Sequence, residues 1–179
     1  SLKSYNDLPY TINYLNVDQK DKKIWSDRLG TKTKLRVGFS WGGRTKQYSF
    51  EHMVELIKRN PEYEWVCIHG KVTHDDMNIL NQYNVREFYS HISDWYDTAC
   101  LISNLDVVIA VDTGLIHLAG GLGIQGCLLL DRYNTCWRWR TQKHEDNVWY
   151  PSVKLFRQKE VRGYVEQLER VHQYLKLFK

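Results

Sequence analysis

A chain of 179 residues is one domain of ordinary size, long enough to bury a real core. No apolar run in it approaches the ~20 residues that a membrane-spanning helix needs. Its formal charge of +4, spread along the sequence, fits an anionic small ligand and falls short of the basic signature of a nucleic-acid-binding protein.

The four cysteines, Cys67, Cys100, Cys127 and Cys136, include no CxxC pair, and the first three lie in apolar stretches. They read as free thiols of a reducing compartment, which predicts a cytoplasmic protein without a disulfide framework or a zinc site. The first residue is Ser1 and nothing near it resembles a signal peptide, so the sequence reads as a piece of a longer protein.

Residues 1–14 are irregular and polar, in the manner of a linker. Asp18 caps a predicted short helix that carries Ile24, Trp25 and Leu29 and stops at Gly30. A charged turn at 32–34 leads into a buried strand at 35–41 (LRVGFSW) and then a loop at 42–47 rich in glycine and cations. Helical spacing appears next in Phe50, Met53, Val54 and Ile57, with Ser49 as the cap. A second strand is predicted at 63–69 (YEWVCIH), a short helix around Met77, Leu80 and Tyr83, and a third strand at 85–89.

Residues 95–105 predict a helix, 106–111 (DVVIAV) a strand with hardly a polar atom, and 115–122 a helix apolar nearly all round. Two more strands are expected at 126–130 (GCLLL) and 153–156. A closing amphipathic helix places Val161, Val165, Leu168, Val171 and Leu175 on one face. Short apolar strands alternating with helices predict an α/β fold, a Rossmann-like parallel sheet flanked by helices on both faces. In such sheets ligands bind at the carboxyl ends of the strands, where strand order reverses. The expected division is a linker and short helix over 1–33 and a Rossmann-like domain over 34–179.

Three segments carry candidate chemistry. The sharpest is Val111-Asp112-Thr113-Gly114-Leu115-Ile116-His117, where an apolar strand ends and a helix begins. The first-turn N–H groups of a helix have no partner within it, and with the helix dipole they favour an anion. Thr113 is placed to cap the helix or to bind phosphate through its hydroxyl, and Gly114 admits close approach to the backbone. Asp112 would repel a phosphate, so it suits sugar hydroxyls or a nearby cation. His117 lies one turn on, near the same face. The plainer alternative is a capping Asp/Thr pair with a satisfied core histidine.

The second segment is the loop Gly42-Gly43-Arg44-Thr45-Lys46, at the same sheet edge and suited to a diphosphate, although neither a Walker loop nor GxGxxG. A flexible solvated loop is its plainer reading. The third is 136–140 (CWRWR), whose arginines, Arg138 among them, could hold phosphates. Trp137 and Trp139 could flank a ring or simply cover the sheet, and they share a face only if the segment is a strand. No histidine spacing such as HExxH predicts a metal site, and no GxSxG elbow occurs.

These segments resemble glycosyltransferase family nine, which contains the bacterial lipopolysaccharide heptosyltransferases, and in particular the members fused behind tetratricopeptide repeats. The matching stretches are PYTINYLNVDQKDKKIWSDRLG, KLRVGFSWGGRTKQ, LISNLDVVIAVDTGLIHLAGGLG and WRWRTQKHEDNVWYPSVKLFRQ, nearly the whole chain. VDTGLIHLAGGLG is the most specific, and WYPSVKLFRQ points to the repeat-fused subgroup.

The resemblance implies the C-terminal half of a two-domain GT-B type enzyme that holds a nucleotide-sugar donor, ADP-heptose in the heptosyltransferases. It places Asp112, Thr113, Gly114 and His117 in the donor motif and Lys46 on the donor. Gly42, Gly43, Arg44 and Arg138 are the added donor-binding candidates, and Ile92 or Ser93 falls near the adenine pocket. Trp41-Gly42-Gly43 departs from the hydroxyl residues usual at that place. The implied reaction is an inverting transfer without metal or cofactor, its base on an N-terminal acceptor or repeat domain absent from the sequence. The competing reading is a scaffold domain that keeps the fold without binding donor.

Overall fold

The computed structural model describes residues 13–42, 48–133, 135–139 and 147–178. In chain order the elements are α1 (Gln19–Leu29), β1 (Arg36–Ser40), α2 (Phe50–Lys58), β2 (Glu64–Cys67), α3 (His74–Gln82), β3 (Arg86–Glu87), α4 (Trp95–Ile102), β4 (Val107–Val111), α5 (Gly114–Gly121), β5 (Gln125–Leu130), β6 (Val153–Arg157) and α6 (Tyr164–Leu175). The six strands form one sheet in the order β3-β2-β1-β4-β5-β6, and every pairing is parallel. The predicted α/β architecture is the observed one.

Alternation along the strands divides the core in two. Val37, Phe39, Trp65, Cys67, Val107, Ile109, Cys127 and Leu129 pack under α2, α3 and α6. Val66, Ile68, Val108, Ala110, Leu128, Leu130 and Leu155 pack under α1, α4 and α5. Both faces being covered, the central strands can be apolar throughout, and β1 and β4 are buried along almost their whole length. Burial pushes the Cys67 thiol up to about 12, so it stays protonated and packs as an apolar group. Cys100 and Cys127 are likewise free and buried, and Cys136 is half-buried.

Local chemistry sets the helix ends. Asp18 accepts from the Lys20 N–H at 2.7 Å at the start of α1, which stops at Gly30 with φ +67°. Ser49 opens α2, and its backbone N–H donates to Nδ1 of His52 at 3.1 Å, a histidine in the place a capping box usually gives to Glu. The helix predicted over 95–105 ends sooner, at Ile102. There Ser103 Oγ donates to Ala99 O, and Asn104 Nδ2 donates to Cys100 O and Lys22 O, tying α4 to α1.

Two expectations are corrected. The third strand, expected over 85–89, is only Arg86–Glu87. Phe88 turns its ring against Trp25 (centroids 6.1 Å apart), and the chain folds into a 3-10 turn at Tyr89–His91. In α6 the stripe turned to the core is the half-buried Tyr164 with the buried Leu168, Val171 and Leu175, whereas Val165 and Val161 are exposed, at 79% and 66%. Val161 precedes the helix, and Val165 stands about 100° around it from Tyr164.

The amino edge of the sheet is tied by a charged cluster. The buried Arg36 donates through Nη2 to Leu29 O at 3.1 Å and to Gly30 O at 2.6 Å, and through Nε to Glu64 at 3.1 Å. Arg86 reaches the same Leu29 carbonyl and also pairs with Glu64. Two guanidinium groups thus neutralise the negative end of α1. Asp106 receives the Arg36 N–H at 2.7 Å and Lys32 at 2.6 Å. Replacing Arg36 by Met leaves two carbonyls and Glu64 short of donors, and Arg86 compensates only in part. We expect a loss of about 2 kcal/mol in unfolding free energy, measured by urea denaturation.

Candidate functional site

In the order β3-β2-β1-β4-β5-β6 the chain runs outward one way from β1 and the other way from β4. These two strands are neighbours, with Ser40 opposite Ala110. The loops leaving their carboxyl ends therefore diverge and open a crevice. One loop begins at Trp41-Gly42; the other is Asp112-Thr113, leading into α5. Gly43, Arg44 and Lys46, three of the predicted donor contacts, lie outside the described residues.

The opening of α5 is not capped by a side chain. Thr113, at the cap position, donates its hydroxyl to Val111 O at 3.3 Å, which corrects the expectation that it could cap the helix. The Ile116 N–H bonds Thr113 O at 3.2 Å, whereas the Gly114 and Leu115 N–H groups have no acceptor among the described residues. Gly114 is exposed. Those two amides and the positive end of the helix dipole face the crevice side of the sheet.

Asp112 and His117 are brought together. His117 Nε2 lies 3.7 Å from the Asp112 carboxylate, and Nδ1 lies 3.0 Å from the Tyr150 hydroxyl, which in turn meets the Tyr14 hydroxyl at 3.3 Å. The imidazole stacks on the fully buried Trp139 with centroids 5.0 Å apart. A Cβ at Gly120 would stand 2.3 Å from the Tyr150 ring, so that ring is seated on α5 only because residue 120 is glycine. Burial raises the Asp112 carboxyl, but His117, the Trp139 indole N–H and the Arg138 guanidinium outweigh it and hold it below the usual carboxylate range. The Trp139 indole N–H is buried and faces this carboxylate, with no partner at full hydrogen-bond geometry among the described residues.

Arg138 and Trp137 are exposed, with the guanidinium 5.7 Å from the Trp137 ring. Residues Trp137–Trp139 form a 3-10 turn, not a strand, so the two indoles diverge, one to solvent and one to the core.

On the other wall, Trp41 is buried and stacks on His69, centroids 3.9 Å apart and planes 17° apart. His69 Nδ1 meets Ser40 Oγ at 3.0 Å, and its ring lies where a Gly42 Cβ would be, 2.5 Å away. Burial lowers the His69 pKa, favouring the neutral ring. Beyond the loop, Tyr48 is held by Gln167 and accepts from Gln158 at 3.3 Å. Gln167 also donates to Leu130 O and Phe156 O, closing the carboxyl ends of β5 and β6. Both flanks of the glycine-bearing loop are therefore anchored in the core.

Sequence reasoning missed three residues at this edge. His69 lies two residues beyond the end of β2, and that position is its only signal. Asp131 follows β5, with one carboxylate oxygen buried and without a hydrogen-bond partner among the described residues, and its pKa raised by burial. Trp95 opens α4 and is 61% exposed, yet its spacing to Thr98, Ala99 and Ile102 marks it for the core. Its exposure follows from where α4 starts, beyond the carboxyl edge of the sheet. The groove of about 480 Å³ between β6 and α6, lined by Lys154, Phe156, Arg170 and Tyr174, contains none of the candidate residues. No helix among the described residues is long and apolar enough to cross a membrane.

The geometry has counterparts among solved structures. The ADP-heptose lipopolysaccharide heptosyltransferase II of E. coli superposes with a TM-score of 0.66 at 16% identity, over 97% of this chain and 58% of that one. A family 9 glycosyl transferase from Veillonella parvula gives 0.69 at 12% identity, over 93% and 54%. The chain shares its fold with these glycosyltransferases. A UDP-N-acetylglucosamine 2-epimerase from Listeria monocytogenes, described as putative in its own name, gives 0.55 at 12% identity, over 84% and 38%. The chain thus spans little more than half the length of the two transferases. No family model matches the sequence, and no curated protein does.

The Asp112–His117 pair yields a pH test. A carboxyl held below its unfolded value stabilises the fold fully above that value, and the gain is lost as pH falls through the lowered one. In urea denaturation between neutral pH and about pH 3, the native chain loses this contribution. Asp112→Asn removes that share of the acid-side loss. His117→Ala, which strips a partner from Asp112 and from Tyr150, costs about 1–2 kcal/mol at neutral pH.

Proposed function

We propose that this chain supplies the nucleotide-sugar-binding half of an inverting, metal-independent glycosyltransferase of the heptosyltransferase type, with an ADP-heptose-like donor. The observation that carries the reading is the uncapped opening of α5 at the point where strand order reverses. The likeness of fold to an ADP-heptose heptosyltransferase supports it.

In this reading an acceptor hydroxyl attacks the anomeric carbon of the sugar from the face opposite the diphosphate. The new C–O bond forms as the bond to the diphosphate oxygen breaks, and that oxygen leaves with the electron pair. The acceptor proton passes to a base on a second domain outside this chain. The charge gathering on the leaving diphosphate is met by the Gly114 and Leu115 N–H groups and by Lys46, with Gly42, Gly43, Arg44 and Arg138 as further proposed donor contacts. Thr113 stands beside the phosphates. Asp112, kept ionised and oriented by His117, accepts from sugar hydroxyls. Fixed cations and a helix terminus can do here what a divalent ion does elsewhere.

One observation favours the competing scaffold reading: Asp112 and His117 already have partners inside the protein. Calorimetry with ADP, GDP and UDP decides between the two. The donor reading expects at least one diphosphate to bind, affinity to fall about tenfold or more in Lys46→Ala and Asp112→Ala, and no transfer by the chain alone. Absence of heat with all three nucleotides sinks it, and silent variants point to the scaffold. Products of a sugar-nucleotide screen on a longer form of the protein separate transfer from epimerisation.

A further inference from the structure

We infer that Tyr14, from the segment ahead of α1, is a positioning residue for the Asp112–His117 pair and acts through the Tyr150 hydroxyl; its effect on a bound sugar rests on the donor-binding reading above. The first half of VDTGLIHLAGGLG forms the opening of α5, and its second half, Gly120-Gly121-Leu122-Gly123, ends that helix. Glycine weakens a helix relative to alanine, so Gly120 and Gly121 in the last turn call for a compensating contact. Each of the three glycines has one. The Tyr150 ring fills the Cβ place at Gly120, and the Asn13 side chain fills that at Gly123, where φ is +74°. At Gly121 the Cβ place lies 2.7 Å from Leu15 Cδ1 and 3.2 Å from Tyr14 Cζ. The Leu15 N–H donates to Gly121 O at 3.0 Å. The glycines therefore let residues 13–15 and Tyr150 lie side by side against the end of α5.

Tyr14 is half exposed, yet its ring stacks on Tyr150, with centroids 6.4 Å apart and planes at 29°. Its hydroxyl lies 3.3 Å from that of Tyr150, which lies 3.0 Å from His117 Nδ1, and His117 Nε2 lies 3.7 Å from Asp112. The polarity of this chain is set at its far end. Asp112 is kept ionised and can only accept, so the imidazole presents Nε2–H to it. In the neutral ring Nδ1 is then bare, and the Tyr150 hydroxyl, which burial keeps protonated, donates to it. The Tyr150 oxygen is left to accept from the Tyr14 O–H. A hydroxyl that accepts a hydrogen bond becomes a better donor. Tyr14 thus strengthens the Tyr150–His117 bond and, through it, the Nε2–H tautomer that orients Asp112.

Long-range 1H–15N spectra of His117 test this in the native chain, Tyr14→Phe, Tyr150→Phe and the double variant, alongside calorimetry with ADP and ADP-heptose. Tyr14→Phe keeps the stacked ring and removes the hydroxyl alone, so a packing role would leave the spectra unmoved. At neutral pH the native chain should show His117 as the Nε2–H tautomer. Tyr14→Phe should shift its resonances toward the Nδ1–H form, and the same replacement should be silent once Tyr150 is Phe. The advantage of ADP-heptose over ADP should fall about threefold in Tyr14→Phe, the share of one hydrogen bond. His117 resonances unchanged in Tyr14→Phe, or a shift that persists in full without the Tyr150 hydroxyl, overturn the positioning role. Spectra that move while the sugar advantage holds overturn its effect on the sugar. A native chain that binds neither nucleotide, yet whose His117 still answers to Tyr14 through Tyr150, overturns the donor reading and leaves the coupling to His117 standing.

Discussion

The reversal of strand order between β1 and β4 is the constraint on which the rest of the molecule depends. Parallel pairing puts every strand-to-helix turn at one edge of the sheet. Only where neighbouring strands send their chains in opposite directions is that edge left without a crossing connection. The first turn of α5 opens at that gap. Its amides gain their significance from position: a helix start elsewhere would meet water or a neighbouring turn.

Around this gap three rings are seated on three glycines. His69 occupies the space of a Gly42 side chain, Trp95 that of Gly114, and Tyr150 that of Gly120. Each contact brings an aromatic ring nearer the backbone than any other residue would allow. Two of the rings also take part in polar chains, His69 with Ser40 and Tyr150 with His117 and Tyr14. The third, Trp95, is 61% exposed. The site thus has a rigid, internally bonded side around Asp112 and His117 and a more open side around Gly114 and Trp95.

Much of the fold is legible from residue spacing. β4 can be read because its five residues are all apolar, and α1 because Asp18 and Gly30 punctuate it at both ends. The departures share a cause. Spacing puts Val165 in the core, whereas the face turned to the core starts at Tyr164 and leaves Val165 exposed, since spacing gives the period of a helix and leaves its phase open. The third strand is short because Phe88 packs on Trp25, a residue far away in the chain. Asp112, Thr113, Gly114 and His117 stand out as a motif, but the sequence leaves two environments open for them. In the fold, Asp112 and His117 are engaged with each other, and Thr113 is bonded to Val111 rather than capping the helix.

By itself, the sequence determined the parallel α/β architecture, the capped start of α1 and the apolar central strands. These follow from short-range periodicity and from the chemistry of single residues at helix ends. Tertiary structure alone decided which loops share a crevice, which indole is buried and which lies in solvent, and which rings rest on which glycines. Those outcomes depend on the order in which strands assemble and on contacts between residues far apart in the chain, and neither is written in local spacing.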